Sequence, residues 1–355
     1  KVTMYASLLM MGISTSIIGI LPPAASAGVG VVIVLQLMRL AQCFGRGGTW
    51  GGGILMAYEN VPENKRSFYA AIPQIGLPIG FGLSSILIAV PTLLLPEDIF
   101  FTWGWRIPFL AAIILTVIVI RQKGEMMETE DYKKAQAKLE AEEAEGKKHK
   151  VGFIPMVKGY WKTLLLGCGT RWVDGTFYNI FIVWILSYCI NWLGMPLIQT
   201  YIITIIACIF KIPFTLFGGW CAQKLGNTRT FVIGALASAV LSIPTLKVIE
   251  LSKGNLAITI IGIVLGWSIA YNLIWAVISS LWSSYFETEV RYSGISFVYH
   301  VPSFLVAGMV PTICTLLINY GKGDTIYVGI YSTVVALISA ACALALKARH
   351  DRGEK

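Results

Sequence analysis

Ten apolar stretches, 4–22, 31–57, 68–95, 104–120, 163–190, 197–221, 230–247, 256–283, 294–318 and 325–346, follow one another along the chain. Each is close to the roughly twenty residues a helix needs to cross hydrocarbon. Backbone amides find no water there, so each stretch must satisfy its own hydrogen bonds as a helix. The pattern predicts an all-α polytopic membrane protein. Polar residues gather in short connections and in one longer segment, 121–162, with four spans before it and six after. From Gly124 to Lys150 that segment is rich in Glu, Lys and Ala, which favours a solvated charged helix at the membrane surface. The expected organisation is 1–120 as one helical group, 121–162 as a linker, and 163–355 as a second group with a short tail.

Positive charge is unevenly shared among the loops. Lys65 and Arg66, Lys224 and Arg229, Arg291, and the tail residues Lys347, Arg349, Arg352 and Lys355 follow alternate spans, as does the linker. By the positive-inside rule these loops and both termini are cytoplasmic. The net charge of +9 is thereby a topology signal and not a nucleic-acid footprint. With 56% hydrophobic and only 13% charged residues, the chain has too much apolar surface for a water-soluble core. The seven Cys have neither metal-ligand nor disulfide spacing, and no Ser/His/Asp set or H-E-x-x-H motif supports catalysis. No cofactor is expected. Gly45-Arg46-Gly47-Gly48-Thr49 lies within a span and lacks the G-K-S/T end, which excludes a phosphate loop; its glycines suit close helix packing.

Charges inside spans are costly, about 2.5–3.5 kcal/mol each on insertion scales, so each marks a candidate site. Arg39 and Arg46 share a face of the second span with Gln42 between them. Arg46 reads as a cavity residue; Arg39 is either a cavity residue or a helix-end anchor. In the fifth span Arg171, Asp174 and Tyr178 share a face. Arg171 and Asp174 either neutralise each other or allow Asp174 to exchange a proton. Thr204, Cys208, Lys211 and Thr215 form one stripe in the sixth span, with Lys211 too deep to snorkel. Asn272 with Tyr271, and His300 with Tyr299, are the remaining candidates, His300 being either a titrating group or a packed helix residue. Arg46, Arg171 and Lys211 outnumber Asp174, which favours an anionic solute.

Several runs resemble a known family. Leu37-Met38-Arg39-Leu40-Ala41-Gln42-Cys43-Phe44-Gly45-Arg46-Gly47-Gly48-Thr49-Trp50-Gly51-Gly52-Gly53 resembles the fourth helix of major facilitator superfamily transporters of the metabolite:proton symporter family. Gly104-Trp105-Arg106-Ile107-Pro108-Phe109-Leu110 resembles the start of that family's sixth helix. Thr170 to Tyr178 is similar to its seventh, and Glu289-Val290-Arg291-Tyr292-Ser293-Gly294 to the turn before its eleventh. The sequence departs from the family pattern at Thr49, where an acid is usual, at Arg46, where an apolar residue is usual, and at Cys43, where Gly is usual. The run Gly219-Trp220-Cys221-Ala222-Gln223-Lys224-Leu225-Gly226-Asn227 resembles a degraded gating loop, with Gln223 in place of Asp and Asn227 in place of Arg.

The resemblance implies a twelve-helix bundle of which ten helices are visible, two more being expected before Lys1. It implies a monomeric, multi-pass plasma-membrane protein whose partners are a small solute, protons and the lipid bilayer. The expected activity is proton-coupled symport of a small organic carboxylate or zwitterionic metabolite by alternating access. An osmolyte symporter of the betaine or proline type is the alternative. A transporter-shaped sensor or inactive remnant is the rival from another class.

Overall fold

The computed structural model describes residues 2–23, 28–59, 61–121 and 153–353. All ten predicted spans are helical. They are α1 (Val2–Ile20), α2 (Val29–Glu59), α3 (66–94, with a tight 3-10 turn at Pro73–Ile75), α4 (104–121), α5 (153–191), α6 (Leu197–Leu225), α7 (Asn227–Leu251), α8 (256–285), α9 (288–320) and α10 (Ile326–Asp351). Among the described residues, eight helices are long and apolar enough to cross a membrane, and Met4–Ile20 and Val310–Tyr320 are shorter apolar helices. The predicted charged helix, Gly124 to Lys150, lies outside the described residues.

Two spans differ from expectation. α5 begins at Phe153, well before the predicted start at 163, and bends at Tyr160 (φ −115°, ψ 18°). Lys158 and Lys162 in this first stretch lowered its hydropathy without lowering its helicity, because Lys is a good helix former. α9, predicted as one span over 294–318, is three pieces, Thr288–His300, Ser303–Val306 and Val310–Tyr320. Pro302 lacks the amide that would continue the first piece, and Pro311 sits in the first turn of the last, where that amide is not needed.

Helices α1–α4 form one group. α1 packs on α2 and α4, and small residues make this close. A Cβ on Gly45 would meet Met11 Cγ at 2.5 Å, and one on Gly19 would meet Phe109 Cβ at 2.8 Å. Helices α5–α10 form the other group, in which α10 packs on α5 and α7, and α8 lies between α6 and α7. Its interior holds Phe177, Phe181, Trp267, Tyr271 and Trp282. The groups meet through α3 against α6 and α8, and through α2 against α9 and α8.

The groups touch at the end of the bundle that carries Lys65, Lys224 and Arg291. Gly219 of α6 abuts Ala71 and Phe68 of α3. The Gln74 side-chain amide donates to the Trp275 carbonyl (3.2 Å), and the Trp275 indole N–H donates back to the Gln74 carbonyl (3.0 Å). At the opposite end Lys247 of α7 joins Glu250 (3.0 Å) and Asp324 (2.7 Å), and Glu250 accepts from the backbone and hydroxyl of Thr325. The hydrogen bond from Lys247 holds Asp324 below the usual carboxylate range. Its support for the α9–α10 turn is therefore present at neutral pH and fades as pH falls through that lowered pKa.

Two helices contain wide π turns, Asn179–Trp184 in α5 and Val264–Ala270 in α8. They cross where a Cβ on Gly266 would lie 2.4 Å from Phe181 Cζ. Gly266→Val should therefore lower the melting temperature and the monodisperse yield in size-exclusion chromatography, with a loss of about 1–3 kcal/mol or more from overpacking. Gly53→Ala, with open space beside it, should leave both unchanged.

Candidate functional site

A polar core sits inside the α5–α10 group beside its seam with α2. Asp174 and Arg171 are one helical turn apart on α5 and form a buried ion pair, with 1% and 6% of their surfaces exposed. Asp174 also accepts a hydrogen bond from the Tyr271 hydroxyl of α8. The Arg171 guanidinium lies 4.4 Å from the Tyr299 ring centroid and donates to the Ser303 hydroxyl at 3.5 Å. Ser303 in turn donates to the Tyr299 carbonyl. Arg171 thus touches α9 at the break around Pro302. Gly175 makes that approach possible, since a Cβ there would lie 3.0 Å from the Val306 carbonyl oxygen.

Lys211 of α6 is fully buried. Its ammonium lies 4.4 Å from the Trp267 ring centroid and 4.3 Å from that of Tyr271, and donates to the Trp267 carbonyl at 3.4 Å. Two aromatic faces and a carbonyl take the place of a carboxylate partner. Asn272 holds the backbone at this point, its amide donating to the Lys211 carbonyl (2.8 Å) and to Thr215 (3.0 Å). Asn272 thus fixes the α6–α8 contact.

Departures from regular helix surround this core. The side chain of Asn179 donates to the Gly175 carbonyl (2.8 Å), competing with the backbone ladder where the α5 π turn begins. Tyr271 closes the α8 turn, its backbone N–H donating a hydrogen bond to the Gly266 carbonyl (3.2 Å). With the break in α9, three helices lose regularity around Arg171, Asp174 and Lys211. Such turns recur at functional positions, where they aim side chains a straight helix would not.

The α2 side of the seam is aromatic. Trp50 stacks on Tyr299 at a centroid distance of 3.9 Å and meets Trp282 edge-on at 5.9 Å. The buried Nε of Arg171 and the indole nitrogens of Trp50 and Trp267 have no hydrogen-bond acceptor among the described residues. Arg46 is exposed on the same helix, within electrostatic reach of Tyr178, Tyr299 and His300. Tyr178 rests against Phe81 of α3 (5.8 Å), and His300 is half-buried and bonded to the Gly47 backbone. Arg39 is not part of this group. It is exposed and bonds Gln42 (3.3 Å), which bonds Thr15 of α1 (2.7 Å).

The run Gly219 to Gly226 forms the last turns of α6 and its sharp junction with α7. Gly226 adopts φ +90° and alone separates the two helices, a conformation that favours glycine. Gln223 and Lys224 are exposed. Asn227 accepts from Ser280 of α8 (3.1 Å).

Known proteins share this architecture. The family described as Major Facilitator Superfamily matches residues 1–311. The chain belongs to that superfamily. It is 32% identical to the inner membrane metabolite transport protein YhjE of Escherichia coli K12 over 99% of this chain and 78% of that protein. It is 30% identical to the shikimate transporter of the same organism, over 95% of this chain and 76% of that one. The structure of the proton:xylose symporter XylE bound to 6-bromo-6-deoxy-D-glucose superimposes with a TM-score of 0.74 at 14% identity, covering 96% of this chain and 78% of XylE. This major facilitator protein is thus a multi-pass membrane transporter and not an enzyme. Within its bundle, the site residues that hydropathy alone passes over are Trp267, Trp50 and Ser303. The i, i+4 spacing of Trp267 and Tyr271 signals a shared face, but only the fold brings it over Lys211.

Proposed function

We propose that this transporter couples proton movement to symport of a small organic carboxylate, by alternating access between the α1–α4 and α5–α10 groups. One observation carries the reading. Among the described residues, two buried basic side chains, Arg171 and Lys211, stand in a core with one buried carboxylate, Asp174, which is paired with Arg171. Burying an ion costs several kcal/mol even after relaxation, so a core with two basic side chains and one acid favours an added anion.

Coupling follows from the pairing of Asp174 with Arg171. While Asp174 is ionised, it holds Arg171. A proton on Asp174 ends that ion pair and leaves the guanidinium for the carboxylate of the solute. Proton and anion then favour each other's binding, which is the thermodynamic requirement for symport. Arg46 faces the same seam from α2 and draws the helical groups together over the solute. Tyr178 and His300 line the approach, Gly219, Gln223, Lys224 and Gly226 gate the far end, and Arg39 anchors α2 on α1. In this reading the end rich in Lys and Arg is cytoplasmic, as are both termini. The segment between α4 and α5 links the moving groups, and the unit of transport is a monomer in the bilayer.

Reconstitution into proteoliposomes with a panel of labelled carboxylates, sugars and betaines tests this. Accumulation of a carboxylate against its gradient, collapsed by an uncoupler and indifferent to sodium, is the expected result. Sodium-driven uptake unaffected by the uncoupler would overturn the proton assignment, and preference for a neutral sugar would overturn the solute class.

A further inference from the structure

We infer that Lys211 is a tethered occupant of an ammonium-binding site, and that it restricts the transporter to carboxylates carrying no cationic nitrogen of their own. The inference rests on the carboxylate reading above and sharpens its solute class.

Trp267 and Tyr271 present their ring faces to one point, and the Trp267 carbonyl points to it as well. Rings and a carbonyl converging on one point are the recognition chemistry of alkylammonium groups. The occupant here is the protein's own side chain. It arrives from α6 on a backbone pinned by Asn272 and Thr215, so its position is set by the fold.

Tyr271 connects this cage to the polar core, offering its face to Lys211 and its hydroxyl to Asp174. Asp174 is already engaged by Arg171. A zwitterion bringing its own ammonium would face the cations Lys211 and Arg171 with one committed carboxylate between them. Its carboxylate would be welcomed and its nitrogen repelled. A solute without that nitrogen meets only the favourable half. Lys211 in this view is a specificity-determining residue acting through occupancy of the cage.

The test uses the purified chain, ethylammonium as probe, and two variants. Lys211→Ala removes the stem and the charge and opens the cage. Lys211→Met removes the charge but keeps the cage filled. The melting temperature and intrinsic tryptophan fluorescence should respond to ethylammonium chloride, relative to sodium chloride, in Lys211→Ala alone. The gain in affinity should be on the order of tenfold or more over wild type. In proteoliposomes, the preference of Lys211→Ala for a nitrogen-free carboxylate over glycine betaine should fall by a similar factor, and by less in Lys211→Met, where the cage stays filled though the charge is gone. If Lys211→Ala yields folded protein only when ethylammonium is present throughout purification, the inference is supported. It is overturned if Lys211→Ala ignores ethylammonium, if its yield stays low with the amine while Lys211→Met folds, or if wild type takes up betaine as readily as the carboxylate. Should wild type carry no carboxylate at all, the functional reading fails, while the amine response of Lys211→Ala still reports on the cage.

Discussion

Replacing Asp174 with Asn is expected to abolish proton-driven accumulation while leaving exchange of solute across the membrane intact. Asn keeps the shape of Asp and an acceptor oxygen for Tyr271, but it cannot carry a proton. The solute still binds and the groups still rock, so counterflow of labelled against unlabelled solute continues. A purely structural ion pair predicts a different outcome. Removing the acid would then leave Arg171 uncompensated in the core, at a cost of about 3–5 kcal/mol. Folded yield would collapse, and Arg171→Gln would restore it. The two readings separate in the double variant. If Arg171→Gln/Asp174→Asn recovers full proton-driven uptake, Asp174 is not the proton carrier.

The second large effect concerns the solute carboxylate. In the Asp174→Asn background, where no buried anion depends on it, Arg171→Gln should weaken carboxylate binding by about a hundredfold, equivalent to roughly 3 kcal/mol for loss of a desolvated charge pair. Arg46→Ala in the wild type should cost about tenfold, because Arg46 is exposed and its attraction is screened. Isothermal titration of the purified variants gives both numbers. The Arg46 loss should shrink as salt is raised and the Arg171 loss should not. Unchanged affinity in either variant would assign that arginine to architecture.

The fold was largely legible because hydrocarbon permits few backbone solutions. All ten spans emerged from apolar runs alone, and the cost of charge within a span singled out Arg171, Asp174 and Lys211 before any contact was known. The helical stripe was less reliable at Arg39. It shares a face with Arg46 but lies about 10 Å from it along the axis, and the polar core reaches only Arg46. Pro302 and Pro311 were visible throughout, yet hydropathy averages across a break, so α9 read as one span. The reciprocal Gln74 and Trp275 bonds join residues 201 positions apart, and no local pattern can announce such a pair. The π turns were hidden for a related reason. They arise where a side chain such as Asn179 captures a carbonyl, which depends on the neighbours that hold that side chain in place.

Those two wide turns give the bundle a form of slack. Each stores one residue more than its helical ladder needs, much as a dislocation stores an extra row of atoms in a crystal. Moving such a fault by one residue rotates the side chain it passes by about 100°, the angle each residue occupies around a helix, while both ends of the helix stay anchored. Tyr178 lies at the edge of one fault, Trp267 within the other and Tyr271 at that fault's far edge. The groups that hold Asp174 and Lys211 can therefore be re-aimed by a step no larger than one peptide unit.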